Sequence, residues 1–73
     1  MAAKRYQYSG ARLTALRKAR GLTLDELSAD VGKDRSTLWT YEKDRSSPSA
    51  VTLADLAHRL RVSPIYFFVE DGR

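Results

Sequence analysis

The sequence predicts an all-α domain of five short helices, and three features carry that expectation. Apolar residues recur at three- and four-residue spacing in four stretches of the chain. Helix-starting residues stand in front of those stretches at Thr23, Asp34, Ser49 and Ser63, and helix-stopping glycines stand behind the first two at Gly21 and Gly32. The length of 73 residues leaves room for one domain, just above the size at which a single hydrophobic core becomes too thin.

Each helix has its own signature. Leu13 and Leu16 mark the first, from about Gly10 to Arg20, with Gly21 behind it as a C-cap. Thr23 followed by Glu26 three residues later is a capping box, and Leu27 and Val31 form the apolar stripe of the second helix, which Gly32 stops. Asp34 caps a third helix over residues 35 to 43, a tight turn after the second. "RSSPS" breaks the chain, Ser49 caps the fourth helix, and Leu53, Leu56, Ala57 and Leu60 line its buried face. Ser63 and Pro64 open a brief fifth helix carrying Ile65, Tyr66, Phe67 and Phe68. Residues 1 to 8 read as a basic N-terminal arm, 9 to 68 as the domain and 69 to 73 as a tail, with both ends expected to fray.

Composition excludes several functions. Without cysteine and with a single histidine, the monomer holds no disulfide, thiolate metal site, cysteine nucleophile or paired-histidine metal site, so neither metal nor cofactor is expected. With 42% hydrophobic and 30% charged residues, no run approaches the ~20 apolar residues of a membrane span. No apolar stretch follows Lys4 and Arg5 as a secretory leader would require, so a cytoplasmic protein is expected. His58 stands beside Arg59, the acids are dispersed, and no nucleophile has a base at workable spacing; the chain does not read as an enzyme, and no small-molecule site is evident. His58 is most simply a surface residue.

The net charge of +4 is unevenly placed. Residues 1 to 20 carry Lys4, Arg5, Arg12, Arg17, Lys18 and Arg20 and no acid, while residues 21 to 32 carry Asp25, Glu26 and Asp30 and no base. A one-sided cationic surface suits phosphates, although charge alone is equally compatible with a solvated helix face.

The order of elements is more specific. "TLDELSADVGKDRSTLWTYEKD" and its flanks resemble the helix-turn-helix of the Cro and phage-repressor (xenobiotic-response-element) family of bacterial DNA-binding proteins, over about residues 9 to 68. The resemblance rests on Leu13, Leu16, Arg17 and Gly21, on Leu27, small Ser28, Val31 and Gly32, on Leu38, Tyr41 and Glu42, on Pro48 and Leu53, and on "HRLRVS". The register has physical reasons: Ser28 is small where the third helix crosses the second, and Gly32 takes a backbone angle costly to other residues. The resemblance implies an internal ion pair between Arg17 and Glu42. The chain departs from the pattern at Leu24, where the family usually has a glutamine that binds phosphate and braces the recognition helix, and at Asp44 and Arg61, where it favours glycine. "KDRST" followed by "YFF" is similar to the controller proteins of restriction-modification systems.

Advancing ~100° per residue from Arg35, the side chains of Arg35, Ser36, Trp39, Thr40 and Lys43 fall within about 140° of one another, and Leu38, Tyr41 and Glu42 lie opposite. In the family this outward face enters the major groove. The resemblance therefore assigns base contacts to Arg35, Ser36, Trp39 and Thr40. Arg35 can donate twice to guanine, and Trp39 can cover thymine methyls with its apolar face. Packing of Trp39 on Leu24 is the competing arrangement. Phosphate contacts are expected from the helix start at Thr23 and from Lys33, Lys43, Arg45, Ser46 and Ser47.

Ile65, Tyr66, Phe67 and Phe68 exceed what so small a monomer easily covers, which suits a homodimer on a palindromic operator unless all four close the core. The resulting expectation is a DNA-binding transcriptional regulator with double-stranded DNA as partner and RNA polymerase within reach at a promoter. The alternative class is a protein-interaction module, such as an antitoxin or adaptor, with secondary DNA binding.

Overall fold

A computed structural model describes residues 5 to 71. Four α-helices, α1 (Gly10–Ala19), α2 (Leu24–Asp30), α3 (Arg35–Glu42) and α4 (Ala50–Leu60), are followed by a 3-10 turn (Pro64–Phe67). Strand β1 (Arg5–Tyr8) precedes them, and β2 (Phe68–Asp71) pairs with it antiparallel, Arg5 opposite Asp71 and Tyr8 opposite Phe68. The described residues measure 43 × 23 × 21 Å. None of their helices is long and apolar enough to cross a membrane, and no acidic or histidine cluster among them could hold a metal ion.

The expectation of five α-helices is therefore corrected: the last is one turn of 3-10 helix, and the chain leaves it extended, with φ −112° and ψ 140° at Phe68. Four residues give one turn, too little for a helix to sustain itself. Phe68 and Val69 favour an extended chain, and the aromatic Tyr6 and Tyr8 stand ready across the pair. The expectation of frayed ends is corrected in the same way for residues 5 to 8 and 69 to 71; Lys4 with the rest of residues 1 to 4, and residues 72 and 73, lie outside the described residues.

The helix ends form where the side chains direct them. Ser9, Thr23 and Ser49 each accept a hydrogen bond from the backbone N–H three residues on, and the Thr23 N–H donates to Glu26 Oε1 at 2.9 Å, completing the capping box. Leu13, Leu16, Leu27, Leu38, Tyr41, Leu53, Leu56, Ala57, Leu60 and Phe67 form a single core. Phe67, expected at a dimer surface, has no exposed area: the 3-10 turn directs its ring inward against α1 and α4.

One close approach fixes α1 against the end of α3. A Cβ on Gly10 would lie 2.5 Å from the Glu42 carbonyl oxygen and closer still to that of Tyr41. Only glycine fits there. The Gly10 N–H donates to Asp44 Oδ1 at 2.7 Å, and the Tyr8 hydroxyl donates to the Tyr41 carbonyl at 3.0 Å. Burial, followed by the charges of Asp44 and Glu42, pushes the Tyr8 hydroxyl well above its ordinary pKa, so it remains a donor at all ordinary pH.

Candidate nucleic-acid interface

The pitch of α3 is set from its buried side. Leu38 and Tyr41 enter the core, and Glu42 is held by Arg17 of α1 through two bonds, Nε to Oε2 at 2.6 Å and a terminal nitrogen to Oε1 at 3.2 Å. A further Arg17 nitrogen donates to the Leu22 carbonyl at 2.8 Å. With 12% and 4% of their side chains exposed, Arg17 and Glu42 form a bidentate, partly buried pair that ties α1, the α1–α2 turn and α3 together. Ser28, buried at the α2–α3 crossing, turns its hydroxyl to the Asp25 carbonyl at 3.0 Å. Gly32 at φ 68° makes the turn between the two helices.

That anchoring leaves Arg35, Ser36, Trp39 and Lys43 exposed and Thr40 half-buried on the opposite side. Arg35, Ser36 and Trp39 line a shallow cleft of about 340 Å³. Trp39, 39% exposed, does not join the core, whereas Leu24 packs against it. The guanidinium of Arg45 stacks over the indole with its central carbon 5.0 Å from the ring centroid, a cation–π contact. Thr40 Oγ1 donates to the Thr37 carbonyl at 2.6 Å and lies 2.9 Å from Ser46 Oγ, so the loop after α3 is folded back on the helix.

The expected phosphate ligands are arranged around this face with different freedom. Lys33, Lys43, Arg45, Ser46 and Ser47 are exposed. Thr23 is exposed as well, but its hydroxyl and amide are both occupied by the capping box, whose bonds hold the Glu26 carboxyl below its usual range. Of the residues expected at a dimer surface, Ile65 is exposed, Tyr66 and Phe68 are half-buried and Phe67 is core. Tyr66 carries Arg12 over its ring at 5.2 Å, and Phe68 meets Tyr8 edge to face.

Two carboxylates escaped the sequence reading. Asp44 caps the start of α1 from 34 residues away, with its backbone in the left-handed region at φ 58°. The departure from glycine there signalled a special backbone, though not the cap. Asp25 lies with its Oδ1 3.6 Å from Arg35 Nε, linking α2 to the outward face of α3. No local pattern signals that pairing, because it joins two helices across a turn.

Comparison with known proteins places the chain among helix-turn-helix proteins. A family model described as a helix-turn-helix domain matches residues 10–70. The chain is 36% identical over 56 residues to the uncharacterized HTH-type transcriptional regulator y4dJ of Sinorhizobium fredii, covering 77% of this chain and 73% of that protein. It is similar in structure to the restriction-modification controller protein C.AhdI of Aeromonas hydrophila, with a TM-score of 0.75 and 34% identity over 80% of this chain and 88% of the other. SinR, the master regulator for biofilm formation, solved in complex with DNA, gives a TM-score of 0.71 at 32% identity over 75% and 89% of the two chains.

Proposed function

The chain belongs to the Cro/repressor-type helix-turn-helix family of transcriptional regulators, and from that premise we propose that it binds a palindromic operator as a dimer, with α3 in the major groove. The observation that carries the proposal is the division of α3 into a buried side, locked by Arg17 and Glu42, and an outward side on which Arg35, Ser36 and Trp39 border an open cleft. Arg35 donates to guanine O6 and N7, Ser36 bonds a neighbouring base edge, and Trp39 covers thymine methyls or sugar atoms. Thr40 contributes its methyl, since its hydroxyl is engaged with Ser46 and Thr37.

Lys33, Lys43, Arg45, Ser46 and Ser47 hold phosphates on either side of the groove. Arg45 has a double role, because it reaches a phosphate from a position stacked on Trp39. Exposed Ile65 with the accessible edges of Tyr66 and Phe68 forms the two-fold contact that spaces the recognition helices roughly 34 Å apart. The likeness to C.AhdI favours a restriction-modification controller as the setting of this regulator. Residues 9 to 68 act as the DNA-binding unit, and bound beside a promoter it meets RNA polymerase.

A footprint of the purified protein on genomic DNA supplies the operator, on which Arg35→Ala is then compared with the wild type. The variant is expected to lose roughly 1 to 3 kcal/mol on the operator and much less on random DNA, with an unchanged melting temperature. Equal losses on both DNAs would reduce Arg35 to a phosphate ligand.

A further inference from the structure

Arg35 projects from the first turn of α3, exposed over 67% of its side chain, with one carboxylate in reach of its guanidinium. Its Nε is 3.6 Å from Oδ1 of Asp25, which stands in the first turn of α2. Asp25 has only two side-chain torsions, and α2 is fixed to α3 through buried Leu27, Leu38 and Ser28. The packing of the two helices therefore sets the backbone from which this exposed carboxylate reaches Arg35.

We propose that Asp25 is a positioning residue for Arg35 and thereby sets the stringency with which the protein reads guanine. The inference rests on the reading of α3 as the groove-entering helix. A guanidinium held at Nε keeps both terminal nitrogens for the forked pair of bonds to guanine O6 and N7. An unpaired arginine surrenders its rotamer freedom when it docks, whereas a paired one is already biased toward the docking rotamers. The pairing also biases Arg35 against swinging to a phosphate, the contact it would make on any sequence. The carboxylate itself repels the DNA backbone, so on a site without guanine the charge weakens binding with nothing to offset it. Specificity arises from that difference.

Leu24 packs against the core, and one residue later Asp25 makes the charged contact from α2 to α3. An ion pair this exposed contributes little to folding. Its effect is to be sought in DNA discrimination.

The test is a double-mutant cycle on the full chain, using wild type, Asp25→Asn, Arg35→Ala and the double variant. Affinities are measured on the footprinted operator and on random DNA of equal length. Asp25→Asn is expected to tighten binding to random DNA and to narrow the operator-to-random ratio by roughly two- to fivefold, the range an exposed ion pair can supply. In the Arg35→Ala background the same change should tighten both DNAs equally and leave the ratio alone. Asp25→Glu, which keeps the charge, should recover part of the ratio, and all variants should melt within a few degrees of wild type. A ratio unchanged in Asp25→Asn, or narrowed equally in both backgrounds, overturns the positioning role while the α3 reading stands. A wild type that does not distinguish its footprinted site from random DNA removes both.

Discussion

Gly10→Ala sets two physical expectations against each other. Within a helix, alanine is favoured over glycine by roughly 0.5 to 1 kcal/mol, so propensity alone predicts a more stable protein. The packing predicts the reverse. The added methyl would stand 2.5 Å from the Glu42 carbonyl oxygen and 2.8 Å from its carbon, and these are backbone atoms that cannot rotate away. Reaching even 3.0 Å from the nearest backbone atom, the Tyr41 carbonyl oxygen, requires α1 and the end of α3 to separate by at least about 0.6 Å. Forcing a methyl into a close-packed contact costs ~1 to 3 kcal/mol. The same separation strains the bond from the Gly10 N–H to Asp44 and that from the Tyr8 hydroxyl to Tyr41, which contribute ~1 to 3 kcal/mol each if lost. A net destabilisation of about 3 kcal/mol follows after the helix preference is subtracted. In a domain of this size each kcal/mol moves the melting temperature by about 4 to 8 °C, so a fall of roughly 12 to 24 °C is expected in thermal unfolding followed by circular dichroism. A melting temperature equal to or above that of wild type would refute the close approach of α1 to α3.

Glu42→Ala should cost ~3 to 5 kcal/mol by leaving Arg17 uncompensated, a large share of the ~4 to 11 kcal/mol expected for 73 residues, whereas joint replacement of Arg17 and Glu42 by Met and Leu should cost far less in urea titration. Trp39 should emit as a hydrated indole, be quenched by acrylamide and become shielded on operator DNA. Trp39→Ala should weaken operator binding with ~0.5 kcal/mol or less lost in stability, and a blue-shifted, unquenchable emission would contradict its exposure. Arg61, at φ 62°, should be replaceable by glycine with a gain of ~1 kcal/mol, while Asp44→Gly should lose stability because the Gly10 amide loses its acceptor; similar melting shifts in the two variants would show that the Asp44 cap contributes nothing.

The helical part of the fold is legible because its signals are local. Thr23 and Glu26 sit three residues apart, Gly21 and Gly32 take the backbone angles that only glycine adopts freely, and the four apolar positions of α4 recur on one face. The outward placement of Trp39 follows from helix periodicity once Leu38 and Tyr41 are assigned inward. The strands carry no such signal. Four residues are too few to show alternation, and Arg5 finds its partner at Asp71, across nearly the whole chain. The continuous run Ile65 to Phe68 fits helix or strand by composition, so neither the 3-10 turn nor the inward course of Phe67 can be read from it. At the candidate site, side-chain identities and the Arg17–Glu42 pair were expected from the resemblance. The links from Asp25 to Arg35 and from Arg45 to Trp39 depend on rotamers and on the angle between elements, which periodicity does not contain.

Because β1 and β2 pair with Arg5 opposite Asp71, the two ends of the described chain leave the ribbon side by side, their Cα atoms about 5 Å apart. The domain is thus nearly a closed ring, and a linker of a few residues from 71 to 5 would complete it. New termini opened at the exposed Gly21 turn would give a circular permutant that keeps every helix whole and converts the ribbon into a hairpin. A protein fused at residue 5 or at residue 71 would start from the same edge. Gln7 and Val69 of that ribbon share a cleft with Asp44 and Ser47, so a bulky fusion at either end approaches the loop that follows α3. If α3 docks as proposed, fusions at residue 5 and at residue 71 would crowd the DNA in the same way, and moving an affinity tag between these two points would not relieve it.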